Sequence, residues 1–185
     1  MIGSRQDLRQ YIQADLKANK KSSKYSSLLY CRMRGEYNLL FLLYLRRLEY
    51  VRNCQKGLLQ KINGFIVGRR LRHWSAFTGI SIQPNSFGRG LYLPHWGSIV
   101  VNGTARFGDD CVVQNGVNVS DHVRGGNHLY LGAGAKILSD VELADDIIVG
   151  ANAVVNKSVS TPNVVVAGVP ASIVSEKGFR DRKQV

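Results

Sequence analysis

Four histidines, His73, His95, His122 and His128, are the side chains of this 185-residue chain best suited to moving a proton at neutral pH. An imidazole with an unperturbed pKa of ~6.5 is mostly neutral there and still basic, so it suits general-base work. His95 follows Pro94 and precedes Trp96-Gly97, with Tyr92 three residues upstream. Trp96 and Tyr92 could stack on a ring, although aromatic side chains more often serve packing. His122 and His128 share one short stretch, Ser120-Asp121-His122-Val123-Arg124-Gly125-Gly126-Asn127-His128. His73 lies in Arg69-Arg70-Leu71-Arg72-His73-Trp74 and reads as structural. No acidic residue occurs between Glu49 and Asp109, so His95 lacks a carboxylate nearby in sequence. An imidazolium formed in catalysis wants a partner. The remaining choices are a carbonyl, Glu49, or Asp109 and Asp110. Cys31, Cys54 and Cys111 are odd in number and scattered, without CxxC or a histidine at zinc spacing, which argues against a disulfide framework or a metal site. Neither a phosphate-binding glycine loop nor a Ser-His-Asp order occurs.

These residues need elements to position them, and the chain changes character near residue 80. Residues 1–80 hold 16 Lys/Arg against 4 Asp/Glu, and residues 81–185 hold 9 of each, so the whole formal charge of +12 belongs to the N-terminal part. That split argues against a uniformly basic nucleic-acid coat, and no reader motif is present. Leu8, Tyr11, Ile12 and Leu16 keep helical spacing. Further helices are expected over about 27–54 and 56–73, the latter interrupted by Gly64 and Gly68, and the boundary falls at 77–83. We therefore expect a basic α-helical region over 1–78, a second domain over 79–175 and a charged tail over 176–185. The start of the chain lacks the apolar core of a signal peptide. The run Leu39 to Leu45 is far short of the ~20 residues of a spanning helix. A cytoplasmic protein is expected, whose basic region could touch the inner face of an anionic membrane.

Beyond residue 100 the apolar residues recur every six positions. Steps of six from Val101 reach Phe107, Val113, Val119, Gly125, Leu131, Ile137, Leu143, Val149 and Val155; steps from Ala105 reach Cys111, Val117, Val123, Leu129, Ala135, Val141, Ile147, Ala153 and Val159. Neither an amphipathic helix nor an alternating hairpin gives that period. A parallel β-helix does, because short strands turn corners and stack inward residues coil upon coil. Gly125 alone breaks the columns, and the rung around it is expected to bulge outward and to hold function.

At this point the sequence resembles the left-handed parallel β-helix acyltransferases, and within them the serine acetyltransferase-like branch. Phe87-Gly88-Arg89-Gly90-Leu91-Tyr92-Leu93-Pro94-His95 resembles that branch's I-G-x-G segment ending in D-H. Gly97 to Val101 resembles its G-I-V-V strand, Leu131 to Leu138 its I-G-A-G-A-K-I-L, and Ala167-Gly168-Val169-Pro170-Ala171 its closing A-G-V-P-A. The likeness covers about 78–175, and Lys24 to Tyr30 extends it weakly into the helices. It implies acetyl transfer from acetyl-CoA to a hydroxyl, in a homotrimer with sites between subunits and no metal. It makes His95 the general base and His122 a second catalytic or acceptor-site residue, with His128 a further acceptor candidate beside Trp96 and Tyr92. The CoA arm would lie against Gly132, Ala133 and Ala151, with Asn156 and Lys157 near its phosphates.

The departures bear on the acceptor. Pro94 stands where the branch has an aspartate before its histidine, Ser81 where it has the acid that orients the base, and Asn19 near the place of a further serine-contacting aspartate (Asp15 is four residues earlier). Loss of carboxylates that would pair with an ammonium points to an uncharged hydroxyl, such as that of a sugar or glycan intermediate in polysaccharide biosynthesis. The alternatives are a serine O-acetyltransferase proper and an inactive scaffold that only binds partners.

Overall fold

The computed structural model describes residues 1–54 and 57–181. Helices and strands are numbered in chain order. Four helices come first, α1 (Arg5–Ala18), α2 (Leu28–Met33), α3 (Tyr37–Cys54) and α4 (Leu58–Thr78). Ser4 caps α1, its hydroxyl accepting from the Asp7 N–H. The helix expected over 27–54 is two helices, because Gly35 takes a left-handed φ of 68° between α2 and α3. Gly64 and Gly68 do not interrupt α4, which runs on to Thr78. Where the last helix was expected to begin, residue 56, lies outside the described residues, as do the tail residues 182–185. The other tail residues include a short 3-10 turn, Phe179–Asp181.

From Ile80 onward the chain winds as a triangular parallel β-helix. One face stacks β1 (Ile80–Ile82), β2 (Ile99–Val101), β5 (Asn118–Val119), β8 (Lys136–Ile137) and β11 (Val154–Val155). A second stacks β3 (Arg106–Phe107), β6 (Arg124–Gly125) and β9 (Glu142–Leu143). The third stacks β4 (Val112–Val113), β7 (Tyr130–Leu131), β10 (Ile148–Val149) and β12 (Val165–Gly168), and β13 (Ala171–Ser175) folds back antiparallel on β12. We call these faces A, B and C. Both six-residue columns point inward as the period requires, with Gly125 and Val159 the only members not fully buried. The α3 leucines join them in one continuous core, so the helical layer lies against the first coil.

The expected bulge at Gly125 does not form. Arg124 and Gly125 stay in register with Arg106 and Phe107 on one side and with Glu142 and Leu143 on the other. A Cβ added to Gly125 would stand 2.1 Å from Phe107 Cδ1 and 2.8 Å from Leu129 Cδ1. The Phe107 ring, stacked on Phe87 with centroids 4.7 Å apart, fills the space the glycine leaves. Packing is conserved by a neighbour, so the rung has no reason to leave the prism. The irregular corner is instead in the first coil. Tyr92 pairs with Val112 and Val100 with Asn118, so the first coil takes eight steps where the next takes six. The two extra residues fall between Tyr92 and Val100, around His95.

Candidate active site

The His95 corner joins face C to face A, and the helical layer grips it from both sides. Before the histidine, Asn38 Nδ2 donates to the Leu93 carbonyl at 2.8 Å, and Asn19 Nδ2 to the Leu91 carbonyl at 2.9 Å. After it, the Trp96 ring lies 5.7 Å from Tyr37 and 6.0 Å from Phe77, centroid to centroid, and remains 52% exposed. Gly97 N–H donates to the Thr78 carbonyl at 2.8 Å, and Ile99 N–H to that of Gly79 at 3.1 Å. Gly79 ends α4 in the left-handed region (φ 72°), and its Cα lies so close to the chain at Gly97 that a Cβ would sit 3.3 Å from the Gly97 carbonyl carbon. The His95 imidazole itself is exposed and makes no hydrogen bond or ion pair with another described residue.

The three acids considered as its partner are engaged elsewhere. Arg46 is fully buried and donates to Asp15 Oδ2 at 2.8 Å, to Glu49 Oε2 at 3.0 Å and to the Phe87 carbonyl at 3.0 Å. Burial opposes its charge, but the Asp15 and Glu49 carboxylates more than offset this and hold the guanidinium above its ordinary range. Asp15 Oδ1 also accepts from the Leu91 N–H (2.9 Å) and Glu49 Oε1 from the Asn85 N–H (2.7 Å). This buried triad welds α1 and α3 to the first coil, and neither carboxylate is free to orient His95. Asp109 pairs with Arg89 at 2.8 Å on the corner between faces B and C, and Asp110 faces His128 there.

The candidate histidines stand on three different corners. His122 is on the corner from A to B, half exposed, with a left-handed φ of 56° and its N–H donating to Thr104 Oγ1 at 2.8 Å. Its Nδ1 faces two carboxylates, Asp140 Oδ1 at 3.5 Å and Asp121 Oδ2 at 3.6 Å. Ser139 donates to Asp121 and holds that carboxyl below its usual range. His128 is on the corner from B to C, with Nε2 3.4 Å from Asp110 Oδ2 and Nδ1 3.4 Å from Asp146 Oδ1. Both its nitrogens are thus committed to a ladder that Arg180 closes on Asp146. Tyr92 is half-buried on face C, in the row of Val112 and Tyr130.

Ala133 and Ala151 lie on the same corner as His95, one and two coils along from Asn115, with Gly134 N–H donating to the Asn115 carbonyl and Asn152 N–H to that of Ala133. Both are at least partly exposed. Gly132 is buried, and its missing Cβ is required by the next coil, since a Cβ would stand 2.6 Å from the Val149 carbonyl oxygen. Asn156 and Lys157 are exposed on the A-to-B corner, two coils along from Ser120 and Asp121. The sequence-derived residues therefore form two groups on adjacent edges: His95 with Ala133 and Ala151, and His122 with Lys157. Face A lies between them, so one chain does not bring the two groups together. Sequence reasoning missed Tyr37, Asn38 and Phe77, which anchor the His95 corner. The only signal of Tyr37 and Asn38 was an aromatic and a small polar residue at the start of a leucine-rich helix, and that of Phe77 an aromatic at the end of α4.

No family model matches the chain. Among known proteins it is 33% identical over 129 residues to the serine acetyltransferase of Helicobacter pylori, a match spanning 64% of this chain and 75% of that one. The crystal structure of serine acetyltransferase from Brucella abortus superposes with a TM-score of 0.67 at 26% identity, covering 94% of this chain and 69% of the other. A coenzyme A complex of serine acetyltransferase from the same organism matches in fold, with a TM-score of 0.74 at 24% identity over 95% of this chain and 70% of that one. Fold and sequence kinship together define a left-handed β-helix O-acetyltransferase of the hexapeptide-repeat class. Within that class, the chain belongs to the serine acetyltransferase family.

Proposed function

We propose that the protein transfers the acetyl group of acetyl-CoA to the hydroxyl of L-serine, at a site built between copies of the chain. The observation that carries this is the division of the chemical groups between two adjacent edges. A homotrimer would close such edge-to-edge contacts, setting the His95 edge of one copy against the His122 edge of the next. His95 Nε2 or Nδ1 takes the hydroxyl proton as the serine oxygen attacks the thioester carbonyl. The tetrahedral intermediate then expels the CoA thiolate, the carbon–sulfur bond breaks, and the imidazolium returns its proton to sulfur. Backbone N–H groups are the natural donors to the oxyanion. Ala133 and Ala151 let the pantetheine arm lie close to the chain, and Lys157 beside Asn156 suits the adenosine phosphates.

The acids absent around His95 have counterparts on the other edge. Asp121 and Asp140 are exposed beside His122, with side-chain exposures of 48% and 79%. Contributed by a neighbouring copy, they would pair with the ammonium of serine, which answers the objection the sequence raised against a charged acceptor. A second reading, a sugar hydroxyl, is favoured by one observation: the His95 corner itself carries no carboxylate and presents a half-exposed Trp96 on which a sugar ring could stack. Release of thiol from acetyl-CoA, followed with L-serine and with neutral glycosides as competing acceptors, separates the two. Turnover with serine and none with glycosides is expected. The reverse preference would overturn serine and leave O-acetylation of a neutral hydroxyl.

A further inference from the structure

The first three turns of α4 expose Leu58, Leu59, Ile62, Phe65 and Ile66. At ~100° per residue these five side chains fall within an arc of about 120°, one continuous apolar face. On the same side of the helix, one turn further on, come Arg69, Arg70 and Arg72, all exposed. The Arg69 guanidinium lies over the Phe65 ring at 5.9 Å, so the cationic belt abuts the apolar patch. None of the three arginines meets a carboxylate among the described residues, and no acidic residue occurs between Glu49 and Asp109. A large apolar patch rimmed by uncompensated cations marks an interaction surface. Its complement must accept apolar side chains and offer dense negative charge. A second copy burying the same face would add a second arginine belt and no acid from α4 to pair it, because residues 50–108 contain none, which disfavours self-association.

We propose that the N-terminal half of α4 docks the protein on the surface of an anionic lipid bilayer. The apolar side chains enter the boundary between headgroups and acyl chains, and the arginines take lipid phosphates. The contact is peripheral, since no helix among the described residues is long and apolar enough to cross a membrane. It does not depend on which hydroxyl is acetylated, because α4 meets the His95 corner only at its other end, through Phe77 and Thr78.

Co-sedimentation of the full chain with vesicles of phosphatidylcholine, alone or mixed with phosphatidylserine, tests this. Binding to the mixed vesicles that high salt reverses is expected, with at least roughly tenfold weaker binding to neutral ones. The double variant Leu59→Ser/Phe65→Ser and the double variant Arg69→Gln/Arg70→Gln should each lower partition into anionic vesicles by roughly tenfold or more. Both should keep the thiol-release rate and the molar mass by light scattering. Equal binding to neutral and anionic vesicles, no binding, or variants that bind like the parent would overturn the proposal. So would a fall in molar mass in either variant, which would assign the face to contact between copies.

Discussion

His95, the general base of the proposed mechanism, has no acid to orient it, and its place is fixed through the backbone on either side. If its imidazole takes the hydroxyl proton, His95→Ala should lower the rate of thiol release by at least ~100-fold with the melting temperature unchanged. A loss of only a few-fold would make the histidine a packing residue. Asp140→Asn should raise the KM for serine more than it lowers kcat, because it removes a charge offered to the ammonium and leaves the base in place. The thiols behave differently from the histidines. Burial pushes Cys111 up to about 12 and Cys31 up to about 11, since the folded chain disfavours the thiolate. At pH 8 an aromatic disulfide reagent should therefore modify only Cys54 in the native protein and all three cysteines in denaturant; rapid native labelling of Cys111 would contradict the burial. His95 stood out as a candidate in the sequence because it closes the segment Phe87 to His95, which resembles the branch's I-G-x-G segment ending in a histidine. Its lack of a carboxylate partner was legible from acid-free residues 50–108. The second carboxylate beside His122 was not, because Asp140 reaches that ring only by stacking one coil above it.

The six-residue columns could be read directly, since each inward position of a β-helix is decided by local period alone. What could not be read was how a gap is filled. Gly125 looks vacant in its column, but the Phe107 ring reaches into it from the coil before. Gly125→Val should thus overpack the coil and cost about 1–3 kcal/mol, and Phe107→Ala in the same chain should return part of that, as thermal or urea unfolding would register. Additive losses would mean that the two side chains do not share the space. The junction of helices and β-helix was equally illegible, because Asp15 binds Leu91 and Asn19 binds the same residue across more than seventy positions. Arg46 gave no sign in the sequence of being buried. Arg46→Leu leaves Asp15 and Glu49 as unpaired buried carboxylates, and a loss of about 3–5 kcal/mol is expected on unfolding. An unchanged unfolding midpoint would show that the triad does not hold the layer to the coil.

For the whole molecule, the charge of +12 resolves into parts with separate roles. Much of it decorates helices, one of which offers an apolar face edged with arginine, while the neutral β-helix carries the groups proposed for acetyl transfer. The His95 and His122 edges are neighbours on one prism, with face A between them, so the proposed site needs two copies of the chain to complete it. Subunit mixing tests this most directly. Chains carrying His95→Ala and chains carrying His122→Ala, each of low activity alone, are co-expressed in equal amounts and assayed for thiol release from acetyl-CoA with L-serine. Edges from different copies should meet as an intact pair in about a quarter of the sites, restoring roughly a quarter of the parent rate. Activity no higher than that of the two variants assayed apart would contradict a site shared between copies.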